Sequence, residues 1–594
     1  MCGIVGYIGK NPTKKLVQGL KKLEYRGYDS AGIAIISNEE IRVQKAVGEI
    51  DNLEKTCQSD DGAFVGIGHT RWATHGKPTL INAHPHLSNN KQFAVVHNGI
   101  IVNYTTIKSQ LEKNGVAFYS QTDTEVVAKL LEFNFNGDTL ESLGKTISQI
   151  EGSYSFAILN NKENRIYFAR NKSPLFACVN DGAVMLSSDV ITFHGISQAY
   201  YEIPDGAKGY CEKNKIICLD KYNNKLKLKE IKLSIDMCQN LTKFDHYMVK
   251  EIYDTKNMLK NICEFYSITE NRDKFSLDVL KKINKIILVG CGTAYHACLV
   301  GAKYFANKLK MPVFAIVSSE FVDEIRLIDK STMVILVSQS GETADTISVY
   351  DNVLDKAGLV ASIVNVEHSF LAKNSPIFFP LKAGVEVAVA STKAYCAQVV
   401  LLYIICETIF EKLTISKYNM SNIIELIKEF EYPNENIIKL LAQNFNKQEK
   451  LFFIGRGYDY LNALEASLKI KETSYKQVDC YYAGELKHGF LALVDENSCV
   501  VAFATEKRFL SKTLVNLQES RSRGAKTILF TCFDLDKELE KELNFVYKVK
   551  EVDLKILQSI ENMIPWQMIA YYMSIFNGIN PDKPRNLAKS VTVE

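Results

Sequence analysis

The chain has 594 residues, 46% hydrophobic and 23% charged, enough for three or four domains with ordinary buried cores. Its 71 basic and 68 acidic residues leave a net charge of +3 with the signs interleaved, which speaks against a nucleic-acid-binding stripe or a membrane-surface patch. The longest strongly apolar run, near Val399–Cys406, falls well short of the roughly 20 residues a bilayer needs, and no basic leader with an apolar core opens the chain. Fourteen scattered cysteines with no CxxC pair read as reduced thiols, so the expectation is a cytoplasmic protein without disulfides or a structural zinc.

From Met1 to about Leu233 short apolar runs are broken by Gly, Asn, Asp and His. Alternation over Gly32–Ile36 and Phe93–Val96 predicts strands, and helices are expected near Asn11–Leu23 and Thr124–Phe135. The lysine-rich stretch Lys213–Lys232 predicts solvated edge strands closing this region. Residues from about 240 to 282 read as a helical connector. Beyond it buried strands alternate with helices, which implies parallel α/β layers. This half also repeats: Lys285–Gly292 corresponds to Lys450–Gly457, and a second strand follows each at nearly equal distance, 48 residues from Gly290 to Ser338 and 49 from Gly455 to Ala504. A boundary near Tyr432-Pro433-Asn434 divides the copies, giving domains at 1–235, 283–432 and 433–594 with a linker at 236–282.

The chemistry of the first region starts at Cys2. Cys2-Gly3-Ile4-Val5-Gly6 runs straight into a strand, so the thiol is fixed on a sheet. Removal of Met1 would set that thiol beside a free α-amine of pKa about 7.7–8.0, able to take its proton and return it to a leaving group. Downstream come Leu23–Gly32, His69-Thr70-Arg71-Trp72-Ala73-Thr74-His75-Gly76, His84-Pro85-His86, His97-Asn98-Gly99 and Thr122-Asp123-Thr124-Glu125. This set resembles the glutaminase domain of class II glutamine amidotransferases, N-terminal nucleophile hydrolases, over roughly residues 2–235. The resemblance implies that Cys2 attacks the glutamine side-chain amide while Arg71 holds the α-carboxylate and Asp123 the α-ammonium. Thr74, His75 and His86 would line the glutamine pocket, and Asn98 with the Gly99 N–H would donate to the oxyanion. Trp72 would belong to a lid that gates ammonia, and Arg26 would order a loop at the glutamine site and channel. His75, His86 and His97 are expected to shape the pocket through hydrogen bonds, since the family holds no metal in this domain.

In the α/β half, Gly290–Tyr295 follows a buried strand but fails as a dinucleotide fingerprint, because Tyr295 stands at the third glycine and no acidic residue closes a ribose site. Ser338-Gln339-Ser340-Gly341-Glu342-Thr343 follows the strand Met333–Val337 and opens a helix running through Thr346, which places hydroxyls and free N–H groups where an anion binds. Capping alone needs only one such residue. The second copy has Ala504-Thr505-Glu506-Lys507 there, so one copy is equipped for phosphate.

These residues resemble the sugar isomerase (SIS) domain, and the doubled arrangement resembles the glucosamine-6-phosphate synthase family. Ala390–Lys393, Leu468–Tyr475, Gly484–Gly489 and Pro584–Glu594 also match. The resemblance implies an αββα glutaminase followed by two parallel α/β sandwich domains. The implied enzyme aminates fructose 6-phosphate with nitrogen from L-glutamine, needs no cofactor, and is a homodimer with its sugar site at the subunit boundary. Thr293, Ser338, Gln339, Ser340, Thr343 and Ser391 would bind the sugar phosphate, and Lys469 would position the open-chain sugar. His488 would assist ring opening from the neighbouring subunit, Lys589 would form a Schiff base, and Glu472 would move the proton between C1 and C2. Ala294, Ala388 and Phe490 replace the serine, glycine and proline usual in the family, leaving room for a different ketose phosphate. A phosphosugar sensor is the rival from another class, but it would not require Cys2, Arg71, Asn98 and Asp123 together.

Overall fold

The computed structural model describes residues 2–591 except 59, 61, 73–75, 234–240, 242 and 419. It divides into two compact units, Met1–Gln239 with Ala588–Val593, and Asn240–Leu587.

The first unit follows from strands that are apolar on both faces. In Gly3–Ile8 every residue is buried, and the pleat sends Ile4 and Ile8 into one core and Val5 and Tyr7 into another. Phe93–Ile101 does the same, with Ala94 and Val96 joining Ile4 while Phe93 and Val95 face away. Strands of this kind must lie inside a layered stack. Two antiparallel sheets, of eight and six strands, accordingly pack face to face. The helix Pro12–Leu23 covers the outer face of the first, and Thr124–Phe133 and Thr139–Ile147 cover the second. The result is an αββα sandwich. The helix Tyr104–Lys113 is not legible in the sequence, because it buries only Ile107 and Leu111, too thin a stripe to register as a helical period. The lysine-rich stretch does form edge strands, though on different sheets: Lys215–Leu219 ends the six-stranded one and Glu230–Lys232 the eight-stranded one.

The second unit contains two five-stranded parallel sheets with the same strand order, second-first-third-fourth-fifth. In one the first and third strands are Lys285–Gly290 and Thr332–Ser338; in the other they are Lys450–Gly455 and Ser498–Ala504. The duplication read from the sequence is therefore a duplication of topology. In each sheet the order reverses between these two strands, and the loops leaving their carboxyl ends flank the crevice where such folds bind ligands. A core built on the helices Gly292–Leu309, Lys393–Thr414, Tyr458–Ser474 and Lys555–Phe576 lies between the sheets, and Met248, Ile252, Leu259 and Ile262 of the preceding helices pack into it. Lys393–Thr414 is 22 residues long and apolar enough to cross a membrane, which the short run at Val399–Cys406 does not suggest; 89% of its apolar stretch is buried inside the protein. All described cysteines are unpaired thiols.

Candidate active site

Strand register builds the first constellation. Gly3 pairs with Thr70, which brings residue 2 beside Arg71 and Trp72. The Trp72 N–H donates to Cys2 Sγ at 3.2 Å, and the sulfur lies 3.5 Å from the Trp72 carbonyl. Desolvation pushes the thiol pKa up, and the Trp72 N–H and the Arg71 charge offset this only in part, so the sulfur needs a base to become a thiolate. From the second sheet, Asn98 Nδ2 donates to the Cys2 carbonyl at 2.9 Å, while Asn98 Oδ1 faces His69 Nε2 at 3.1 Å. Gly99 follows with φ +135°, and a Cβ there would stand 2.0 Å from the Ser153 carbonyl, so no other residue fits.

Arg71 is buried, with Nη2 donating to Gly76 O at 3.1 Å and Nη1 to Lys77 O at 3.4 Å. Burial lowers its pKa, with Cys2, Asp29 and Asp123 acting against that effect, so thiol, guanidinium and carboxylate share one electrostatic neighbourhood. Asp123 is held by the Ile101 N–H at 2.9 Å. Thr74 and His75 lie outside the described residues. His86 is bonded to Thr122 Oγ1 at 3.0 Å and braces the corner before Asp123, and His97 is bonded to Thr124 Oγ1 at 2.9 Å. No group of three or more His, Cys, Asp or Glu is arranged to hold a metal among the described residues. Arg26 forms a buried ion pair with Asp189 at 2.6 Å and reaches Ser188 O at 3.2 Å, which locks the loop it sits on. Trp72 lies edge-on to Tyr28 at 6.0 Å.

The second constellation sits at the reversal point of the first parallel sheet. Ser338 Oγ accepts from the Gly341 N–H at 2.9 Å and lies 3.3 Å from Thr343 Oγ1, while Ser340 Oγ accepts from the Glu342 N–H at 3.2 Å. Gly341 has φ +68°, and a Cβ there would stand 2.0 Å from Ser369 Oγ. Thr343 occupies the N-cap of the helix Ala344–Val353, yet its side chain makes no capping bond. Its hydroxyl is thus not spent on the helix, which separates an anion loop from ordinary capping.

Next to it, residues 465, 469 and 472 stand at i, i+4 and i+7 on one face of Tyr458–Ser474. Lys469 is fully buried and donates to Glu472 Oε2 at 2.6 Å and Thr293 Oγ1 at 2.9 Å, with Glu465 at 3.4 Å. Burial alone would lower its pKa, but Glu465 and Glu472 outweigh it and hold the ammonium above its ordinary value. Glu465 also accepts from Thr293 at 3.1 Å and pairs with His296 Nδ1 at 2.7 Å. Ser391 donates to Glu386 at 2.8 Å, whose other oxygen takes the Thr392 and Ala394 N–H groups. Sequence reasoning passed over Glu465, His296 and Glu386, although the helical spacing of Glu465 to Lys469 and Glu472 was a usable signal. His488 ends a short 3-10 turn and is exposed. Lys589 belongs to Ala588–Val593, which groups with the first unit.

The corresponding loop of the second copy is filled by its own acids. Asp459 accepts from the Thr505 N–H at 2.9 Å, Thr505 Oγ1 at 2.5 Å and the Glu506 N–H at 3.1 Å, and Glu506 takes the Tyr458 N–H at 2.6 Å. The side chains of Asp459 and Glu506 occupy the donors that an external anion would need.

Comparison with known proteins agrees with this division. Residues 279–407 and 444–576 match the SIS domain, and residues 70–194 match a glutamine amidotransferase domain. The chain is 39% identical, over the full length of both proteins, to the glutamine–fructose-6-phosphate aminotransferases (isomerizing) of Caldanaerobacter subterraneus subsp. tengcongensis and of Clostridium tetani. Among solved structures, the C-terminal domain of glucosamine-fructose-6-phosphate aminotransferase from Francisella tularensis superposes with a TM-score of 0.51 at 32% identity, covering 58% of this chain and 100% of that one.

Proposed function

The chain belongs to the family of glutamine–fructose-6-phosphate aminotransferases (isomerizing), and we propose that it converts fructose 6-phosphate and glutamine to glucosamine 6-phosphate and glutamate, the entry to amino-sugar biosynthesis. The observation that carries this reading is the presence in one chain of a thiol at residue 2 clamped by Trp72 and backed by Asn98, and of a hydroxyl-lined, uncapped anion loop beside a buried lysine–carboxylate cluster.

In this reading, loss of Met1 frees the Cys2 α-amine, which takes the thiol proton that desolvation otherwise retains. The thiolate adds to the glutamine amide carbon while Arg71 and Asp123 hold the amino-acid end and Thr74, His75 and His86 complete the pocket. Asn98 Nδ2 and the Gly99 N–H take the developing oxyanion. Ammonia leaves with the returned proton, and water hydrolyses the thioester to glutamate. The lid at Trp72 and the loop locked by Arg26 keep ammonia from bulk water on its way to the sugar. There Ser338, Gln339, Ser340, Thr343, Thr293 and Ser391 hold fructose 6-phosphate, and His488 of a second copy opens the ring in a homodimer. Lys589 condenses with the C2 ketone, releasing water, and ammonia displaces the lysine from that imine. Glu472 then carries a proton from C1 to C2, with the Lys469 ammonium steadying the charge between them. The enzyme works in the cytoplasm.

The test is product analysis by mass spectrometry and NMR with amide-¹⁵N glutamine and fructose 6-phosphate. Labelled glucosamine 6-phosphate with an equal amount of glutamate is the expected result. Glutamate without labelled amino sugar would retire fructose 6-phosphate as the acceptor and direct attention to other ketose phosphates, where Ala294, Ala388 and Phe490 would matter.

A further inference from the structure

We propose that His69 fixes the Asn98 amide in its working orientation and is thus a positioning residue for glutamine hydrolysis that never touches substrate. This rests on the glutaminase reading of Cys2. The placement follows from strand parity. Val65 and Ile67 point into the interior between the two antiparallel sheets, where they meet Ala94 and Val96. Two residues further along each strand, the same faces carry His69 and Asn98, so a polar pair closes the apolar interior at the end nearest Cys2.

The hydrogen bonds then leave one assignment. His69 Nε2 lies 2.9 Å from the His97 carbonyl and 3.1 Å from the Asn98 side-chain amide. A carbonyl oxygen can only accept, so Nε2 carries the ring proton. A nitrogen that carries that proton cannot accept from an NH₂ group. The Asn98 atom facing it is therefore the oxygen, and the NH₂ points the other way, where it reaches the Cys2 carbonyl at 2.9 Å. An asparagine whose two ends see equivalent surroundings can rotate by half a turn, and here that would aim an acceptor at the oxyanion. His69 and the Cys2 carbonyl remove the ambiguity together, the ring holding the oxygen and the carbonyl the NH₂. His69 is itself immobile: fully buried, and stacked on His84 with centroids 4.0 Å apart. Burial holds its pKa down at about 3, so at neutral pH it has one ring proton and Nε2 keeps it.

The test uses the full-length enzyme and glutamate release from glutamine. His69→Met removes the donor at similar volume, whereas His69→Gln restores a donor near the ε position. The Met variant should lose about 10–100-fold in kcat, below the ~10²–10³ expected for deleting an oxyanion donor, with KM within about threefold. The Gln variant should recover to within about fivefold. In an Asn98→Ala background His69→Met should cost no more than about twofold further, because the two residues act as one unit. An unchanged kcat in the Met variant, a change confined to KM, or full additivity with Asn98→Ala would each overturn the proposal. If the Met variant does not fold, His69→Asn decides, since its shorter amide cannot reach Asn98. An active Asn variant refutes the positioning role; an inactive, folded Asn variant beside an active Gln variant supports it. Cys2→Ala separates the two layers: hydrolysis that survives it sinks the glutaminase reading, while its loss alongside unimpaired His69 variants sinks only the role of His69.

Discussion

Asn98 and Thr343 are polar side chains placed by their neighbours, Asn98 between Cys2 and His69 and Thr343 beside Ser338, and each predicts a loss of function without a loss of fold. Asn98→Ala removes one oxyanion donor and should lower kcat for glutamine hydrolysis by about 10²–10³ while leaving KM nearly unchanged. Steady-state kinetics decide this, and a KM effect alone would move Asn98 into substrate binding. Thr343→Val removes a hydroxyl that caps nothing. Stability should shift by less than about 1 kcal/mol, while affinity for fructose 6-phosphate should fall about 10–100-fold, the worth of one hydrogen bond to a charged group. Calorimetric titration beside a thermal melt reads both. Residues of this kind are legible in sequence because their type and motif announce them. His69 and Glu386 are not, because their work is done on other groups of the protein. Nothing in the order His69-Thr70-Arg71 says that the imidazole will meet Asn98 from another sheet.

The two parallel sheets show how one strand–loop–helix element is opened or closed to a ligand. In the first copy Gly341, at φ +68°, turns the loop so that the Ser338 and Thr343 hydroxyls lie 3.3 Å apart at the head of the helix Ala344–Val353. In the second copy Asp459 enters from the first turn of the helix Tyr458–Ser474 and takes three donors. The sequence told the copies apart through Ala504–Lys507, but it did not reveal what fills the second. Asp459 lies 46 positions before Thr505, and only adjacency of the strands Lys450–Gly455 and Ser498–Ala504 brings them together. Strand positions and the duplication were legible because each first strand is an apolar run ended by glycine. The helix Lys393–Thr414 was not, because Tyr395, Gln398 and Glu407 interrupt its apolar residues and only tertiary burial unites them. Asp459→Ala strands two buried N–H groups and one hydroxyl, and should cost the second unit roughly 3–5 kcal/mol in urea unfolding. A cost under about 1 kcal/mol would mean that water replaces the carboxylate easily.

Across the whole molecule the buried histidines lie in the first unit and the two carboxyls raised to about 7 lie in the second, and this division sets opposite pH dependences. The first unit buries His69, His84, His86 and His97, all with pKa values pushed below 6.5 by desolvation, that of His69 to about 3. Folded, they are neutral; unfolded, each binds a proton below about pH 6.5. Their contribution is therefore complete above that pH and is lost as pH falls, at up to roughly 1.4 kcal/mol per pH unit for a histidine such as His69 that stays neutral when folded. The second unit buries Asp459 and Glu561, whose carboxyls desolvation raises from 3.8 and 4.5 to about 7. Folded, they keep protons that the unfolded chain has released, so their contribution is complete below about pH 4 and is lost as pH rises through about 7. Acidification from pH 7.5 to 5.5 should then weaken the first unit by several kcal/mol while the second holds or gains. Hydrogen exchange resolved by peptide, corrected for the intrinsic pH effect, can follow Val65–Arg71 and Phe93–Ile101 against Lys450–Gly455 and Ser498–Ala504. Protection lost first in the former pair is the expected result. Parallel loss in both would mean that the two units open as one cooperative body, and that the histidines do not set the acid limit of the first.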